Sequence, residues 1–274
     1  MSTPAKIPQF AVFGTPIKHS LSPKIHAAFA AQCGIAQQYR AIEAQADNFT
    51  GLLRDFATHG GAGANVTLPL KALALTLCTE LDTNAKRAGA VNTLIRNGNN
   101  WHGANTDGIG LVRDLTQRQQ LNLPGRRLLV IGAGGAARGV LAPLVAAGVI
   151  DLLIANRSVA KAQALAEQFS GQACALDQLG NQGAFDLIVH ASSAGHAEFV
   201  LPNWPESLVR AGTALVDLSY GAASKPALAW ASELEIVAFD GLGMLIEQAA
   251  EAFYLWHHQR PDTAPVWGML RAVF

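Results

Sequence analysis

Between Arg126 and Ser158 the chain reads RRLLVIGAGGAARGVLAPLVAAGVIDLLIANRS, and this stretch leaves a fold little choice. A short apolar strand runs into a glycine turn, a helix follows, Gly148 stops it, and a second apolar strand begins. That is one βαβ unit, which requires a parallel sheet. The turn fits G-x-G-x-x-A. Gly132 permits the tight turn, Gly134 lets a pyrophosphate approach the backbone, and Ala137 lets helix and strand pack closely. The helix N-terminus adds N–H groups and positive potential. A merely tight βα turn is the competing reading, and it is the position inside a βαβ unit that makes the pattern specific.

The end of the second strand bears on which dinucleotide binds. An NAD site usually carries Asp or Glu there to accept hydrogen bonds from the ribose hydroxyls. This chain has ANRSVAK, with Asn156, Arg157, Ser158 and Lys161 and no carboxylate. Arg157 can stack on adenine and pair with a 2′-phosphate, which a carboxylate would repel. NADP is therefore expected over NAD; the alternative is that Arg157 is only a solvated strand-end residue.

Around this unit the chain divides in two. From Phe10 to about Asp107 strand and helix alternate: FAVFG, then PKIHAAFAAQCG, YRAIEA, a helix over Asp47–His59, GANVTLP and a helix from Pro69. AGAVNTLIR and WHGANTD flank NGNN as a hairpin. After the βαβ unit, FDLIVHASSAG, ALVDLSY and EIVAFDG supply three more short strands, and the helix GMLIEQAAEAFYLWHHQ returns to the first block. The expected fold class is α/β with two domains. Residues 1–106 with 241–274 form a discontinuous, mixed or mostly parallel domain, and residues 107–240 a Rossmann-like one, with a cleft between them. The 274 residues carry no net charge, which argues against nucleic acid or an anionic membrane as partner. No apolar run reaches the ~18–20 residues of a membrane span. Cys33, Cys78 and Cys174 are far apart, odd in number and without zinc spacing, so they read as reduced thiols of a cytoplasmic protein, and no metal is expected. Monomer and homodimer both remain open.

Several polar residues of the first block sit where a core-seeking segment would not place them. Asn65 and Thr67 share one side of a strand by period two. Lys71 falls in the first turn of the following helix, where a cation is disfavoured, so it is either a tolerated surface lysine or a functional one. Asn92 interrupts an apolar strand, either to close a local turn or to bind. Asp107 suits either a helix N-cap or an acid partner for a base. In HSLSPKIH, Ser22 before Pro23 makes an ideal N-cap, which does not explain Ser20. Two hydroxyls at a helix N-terminus can receive a carboxylate. Asn65, Thr67, Lys71, Asn92 and Asp107 together suit a small polyol better than a nucleotide or peptide.

FGTPIKHSLSPKIHAAF, GANVTLPLK, AGAVNTL, NTDGIG, GAGGAARG, ANRS and DGLGMLIEQAA resemble, in order, the motif set of the shikimate dehydrogenases, from about Phe13 to Gln248. The resemblance implies NADP-dependent, reversible reduction of 3-dehydroshikimate to shikimate in aromatic amino-acid biosynthesis. It implies that Ser20 and Ser22 take the shikimate carboxylate, with Tyr220 nearby, and that Thr67, Asn92, Asp107 and Gln248 hold the ring hydroxyls. Asn65 would support the pocket, and Lys71 with Asp107 would form the catalytic pair. Gly132, Ala133, Gly134, Gly135 and Ala136 would hold the pyrophosphate, and Asn156, Arg157, Ser158 and Lys161 the adenosine phosphate. Leu218 and Gly241 would approach the nicotinamide half.

Three positions depart from the family pattern: Thr15, often Asn; His190, usually Asn; and WHHQRP, which lacks a glycine after the tryptophan. His190 is expected to be a structural hydrogen-bonding residue rather than a base. A quinate/shikimate dehydrogenase would use NAD more readily and carry an acid near Asn156. A silent NADP sensor would need no Lys71–Asp107 pair, and a folate-linked dehydrogenase no carboxylate-binding serines.

Overall fold

The computed structural model describes residues 7–192 and 204–272. The chain forms two units, Met1–Gly110 with Ile246–Phe274, and Leu111–Leu245. Asp107 thus belongs to the first unit and Gly241 to the second.

The first unit holds a six-stranded mixed sheet. Its strands are β1 (Gln9–Gly14), β2 (Gln38–Glu43), β3 (Gly61–Val66), β4 (Glu80–Leu81), β5 (Thr93–Asn97) and β6 (Asn100–Ala104), in the order β2-β1-β3-β5-β6-β4. β1 runs parallel to both neighbours, and β5 is antiparallel to β3 and β6. β5 and β6 are a hairpin in which Asn97 pairs with Asn100, and Gly98 adopts the φ of +58° that a two-residue hairpin turn requires. The helices are α1 (Ser22–Cys33), α2 (Phe49–Thr58), α3 (Lys71–Thr76) and α4 (Thr83–Ala88). α2 buries Phe49, Leu53 and Phe56, one stripe at helical spacing, and Phe13 of β1 meets the Phe49 and Phe56 rings edge-on. α4, absent from the sequence reading, begins at an Asp82 cap whose carboxylate accepts from the Ala85 N–H at 2.6 Å. α3 starts at Lys71, two residues later than the helix expected from Pro69.

The second unit contains β7 (Arg127–Ile131), β8 (Ile150–Ala155), β9 (Gln172–Cys174), β10 (Leu187–His190), β11 (Ala214–Asp217) and β12 (Val237–Phe239). They lie in the order β12-β11-β10-β7-β8-β9, all parallel. Strand order reverses between β7 and β10, the doubly wound arrangement in which ligands bind beyond the strand C-termini at the reversal. Both faces are covered, as parallel sheets require: Val130, Val189 and Val216 enter one core, while Leu129, Ile188 and Leu215 enter the other. Among the helices are α6 (Gly135–Ala146), α7 (Val159–Ala166) and α8 (Lys225–Glu233). α5 (Asp107–Arg113) runs on into a π-helical turn over Asp114–Arg118, and α9 (Leu242–His257) and α10 (Ala264–Arg271) complete the chain. No helix among the described residues is long and apolar enough to cross a membrane.

α1 turns His26 into the first unit's interior, where its ring stacks on Tyr39 at 4.2 Å and contacts Phe29, Phe253 and Trp256. Burial depresses its pKa to about 3, with the nearby His257 acting in the same direction. The unfolded chain takes up this proton near the ordinary value of about 6.5, so it binds more protons than the native state below that pH. Stability from neutral His26 is therefore complete above about pH 6.5 and falls as pH drops towards 3. Melting temperatures between pH 7 and 4.5 should fall less steeply for His26→Phe than for the wild type.

Candidate active site

The polar residues of the first unit converge because the starts of α3, β5 and α5 meet beside Gln248 in the body of α9. Lys71, first residue of α3, donates from Nζ to Asp107 Oδ2 at 2.6 Å, and both side chains are largely buried. Asp107 is the first residue of α5, where the helix dipole favours an anion and disfavours the lysine it faces. Its other oxygen accepts from Asn92 Nδ2 at 2.8 Å. The carboxylate is therefore committed to Lys71 and Asn92 rather than to capping.

Asn92 is 2% exposed and joins the remaining pieces. Its Oδ1 accepts from the Thr106 N–H and the Thr93 hydroxyl, each at 2.9 Å. Gln248 of α9 brings Oε1 within 3.3 Å of both Asn92 Nδ2 and Thr106 Oγ1. Below them, Asn65 of β3 donates from Nδ2 to Thr93 Oγ1 at 3.2 Å and accepts from the Tyr39 hydroxyl at 2.8 Å. Thr67 follows β3, its methyl against Gly14, where any side chain would overlap it. Tyr39 escaped the sequence reading, because one aromatic in the alternating stretch YRAIEA looks like an ordinary strand residue. Desolvation raises its hydroxyl pKa well above the ordinary value, and a hydrogen bond from Ser22 works against that rise.

Ser22 differs from the expected helix cap. Leu21 occupies the N-cap position of α1, Ser22 is the first helical residue, and no side chain caps the helix. Ser22 is buried. The N–H of Ser22 goes to Ser20 Oγ at 3.3 Å. Ser20 thereby accepts through one lone pair and keeps its own proton to donate.

The second unit carries a cavity of about 470 Å3 at its strand reversal, lined by Gly132, Ala133 and Gly134 and by Asn156, Arg157, Ser158 and Lys161. Gly132 has φ +117°, and a Cβ there would come within 2.8 Å of the Ala191 carbonyl group. At Gly134 and Gly135 a Cβ would meet nothing within 4 Å, so open space faces the backbone at the start of α6. No side chain caps α6 or α7, and neither has an acid in its first turn. Two cations and no carboxylate line the cavity among the described residues. Bare backbone, uncapped helix N-termini and paired cations fit a phosphorylated dinucleotide. Ala136 sits partly buried in α6. Leu218 and Gly241 do not line this cavity; they touch each other, and a side chain on Gly241 would overlap the Leu218 carbonyl. Tyr220, also in this unit, precedes the turn Gly221–Ser224, and burial raises its hydroxyl pKa.

A doubly wound parallel sheet with this glycine turn defines a dinucleotide-binding protein, here joined to a polar unit built around a lysine–aspartate pair. Residues 12–94 match the shikimate dehydrogenase substrate binding domain, 114–253 the shikimate / quinate 5-dehydrogenase model and 241–271 the shikimate 5'-dehydrogenase C-terminal domain. The chain is 51% identical over 274 residues to the shikimate dehydrogenase (NADP(+)) of Xylella fastidiosa strain M12, covering 98% of this chain and 97% of that one. Among solved structures, it is similar to an Ael1 enzyme from Pseudomonas putida, with TM-score 0.89, 38% identity and coverage of 96% and 98% of the two chains. It is also similar to shikimate 5-dehydrogenase from Thermus thermophilus in complex with NADP(H) and shikimate, with TM-score 0.88, 33% identity and coverage of 98% and 100%. The chain belongs to the shikimate dehydrogenase family.

Asn65 supports the network from below, so Asn65→Ala leaves the Tyr39 hydroxyl without its acceptor. Urea denaturation should show a loss of about 1–3 kcal/mol, the cost of leaving a buried polar group unpaired.

Proposed function

We propose that the protein is an NADP-dependent shikimate dehydrogenase, reducing 3-dehydroshikimate reversibly to shikimate for aromatic amino-acid biosynthesis. The observation that carries this reading is the Lys71–Asp107 bond, an acid–base pair set in a pocket of neutral amides and hydroxyls. The Thermus relative binds NADP(H) and shikimate by its description, and the Xylella relative is named for NADP(+). Three free thiols, Cys33, Cys78 and Cys174, accord with a reducing cytoplasm.

NADPH, when bound, supplies the hydride. The alkoxide that hydride addition leaves on the substrate needs a proton, and the Lys71 ammonium delivers it from Nζ. Asp107 Oδ2 aims that ammonium, and Asn92 holds Asp107 through its other oxygen, so the amine keeps one direction as its proton leaves. In the oxidising direction neutral Lys71 accepts the hydroxyl proton. Thr67, Asn92 and Gln248 bind ring hydroxyls, while Ser20 and Ser22 take the carboxylate. Tyr220 assists at the acid end. Gly132 to Ala136 carry the pyrophosphate, Asn156 to Lys161 the adenosine 2′-phosphate, and Leu218 and Gly241 flank the nicotinamide half.

The decisive assay follows NADPH formation spectrophotometrically with shikimate and with quinate, each with NADP and NAD; no reaction with shikimate refutes the proposal. Lys71→Ala should lose about 10²–10⁴-fold in kcat with KM for shikimate nearly unchanged. A sharp rise in KM with surviving kcat would make Lys71 a binding residue instead. Arg157→Asp should reverse the preference for NADP over NAD, because it places a carboxylate where the 2′-phosphate is bound.

A further inference from the structure

β10 ends on a residue with no part in the proton transfer. The His190 ring is 3% exposed, yet both its nitrogens are bonded, Nδ1 to Asp217 Oδ2 at 2.8 Å and Nε2 to Ser192 Oγ at 2.5 Å. Asp217, at the end of β11, also accepts from the Ser219 N–H at 2.7 Å and the Ser219 hydroxyl at 2.6 Å. Carboxylate oxygens only accept, so Nδ1 carries the proton of its bond and Nε2 is left to hold Ser192. Trp204 closes the ring from the side, edge-on at 5.0 Å. The ring is therefore fixed on three sides.

This fixed ring stands in the wall of the dinucleotide cavity. His190, Ala191 and Ser192 line it with the glycine turn, Arg157 and Lys161. Gly132 packs so closely here that a Cβ on it would come within 3.0 Å of the Ser192 nitrogen. Serine has no second group on Cβ to restrict χ1, so its hydroxyl is free to rotate unless something holds it. His190 Nε2 holds it, and a group ordered before binding loses less entropy on contact with its ligand.

We propose that His190 is a positioning residue for the dinucleotide: Asp217 orients its ring, the ring pins the Ser192 hydroxyl, and Ser192 contacts the bound cofactor. The proposal rests on the NADP-dependent reading above and assigns a role to the position where this chain departs from the family's usual asparagine.

His190→Asn keeps an amide near the Nδ1 position but has no atom at Nε2, so Asp217 retains its partner and Ser192 loses its own. KM for NADP and the Kd from an NADPH fluorescence titration should rise about tenfold, the scale of one hydrogen bond. KM for shikimate, and kcat at saturating NADP, should change less than about twofold, since the proton-transfer pair is untouched. Ser192→Ala, which leaves the buried pair intact, should give the same rise. The double variant should be no worse than either single one, because both remove the same contact. His190→Gln, whose longer side chain returns an amide towards Nε2, should recover part of the loss. An unaltered NADPH Kd in both single variants, or additive losses in the double, would overturn the proposal and leave His190 a packing residue. Failure of the wild type to oxidise shikimate would defeat the functional reading instead, while the NADPH titration still tests His190.

Discussion

One buried side-chain amide holds the first unit's polar centre together. Asn92 interrupts an otherwise apolar segment, and each of its polar atoms meets a group from a different part of the chain: Thr93 beside it, Thr106 and Asp107 at the start of α5, and Gln248 on α9. A buried amide left unpaired costs about 1–3 kcal/mol, so these elements are held to the positions that satisfy it. Networks of this kind favour a single arrangement, because every partner lost exposes another group to the same penalty. The Lys71–Asp107 pair inherits its direction from that arrangement.

The second unit solves a different problem. Its sheet is apolar on both faces, so the polar groups of its strands gather at their ends, with Arg127, Asp151 and Asp186 at the N-terminal side and His190 and Asp217 at the C-terminal side. At the C-terminal side the glycine turn and the uncapped starts of α6 and α7 leave backbone N–H groups without side-chain partners. Asp217 and His190 are two buried polar groups at neighbouring strand ends that satisfy one another. Burial without a partner would make each costly; paired, they give the rim of the cavity a rigid point.

Much of this was legible in residue order. The βαβ unit announced itself through strand, glycine turn and helix in sequence, and the parallel sheet follows from that local pattern. Asn65, Lys71, Asn92 and Asp107 stood out because each is polar where its segment is otherwise apolar or where a helix dipole opposes it. Tyr39 carried no such signal, since an aromatic in a half-exposed strand is common, and its bond to Asn65 exists only once β2 and β3 flank β1. Ser22 misled for a related reason. A serine before proline is a strong cap by local rules, but Ser22 is buried as the first helical residue and Leu21 takes the N-cap position.

By itself the sequence determined the fold class, the glycine turn and the missing carboxylate after β8, and it marked Lys71 and Asp107 as polar residues out of place. These are local properties, read from period, spacing and backbone tolerance within about 30 residues. The tertiary structure decided which of those residues meet. Lys71 and Asp107 stand 36 positions apart, and Asn92 and Gln248 are 156 apart, yet all four share one network. It also decided that His190 spends its two nitrogens on Asp217 and Ser192. Hydrogen bonds are short-ranged and directional, so partners across such separations become visible only when sheet register and helix packing bring them within about 3 Å of one another.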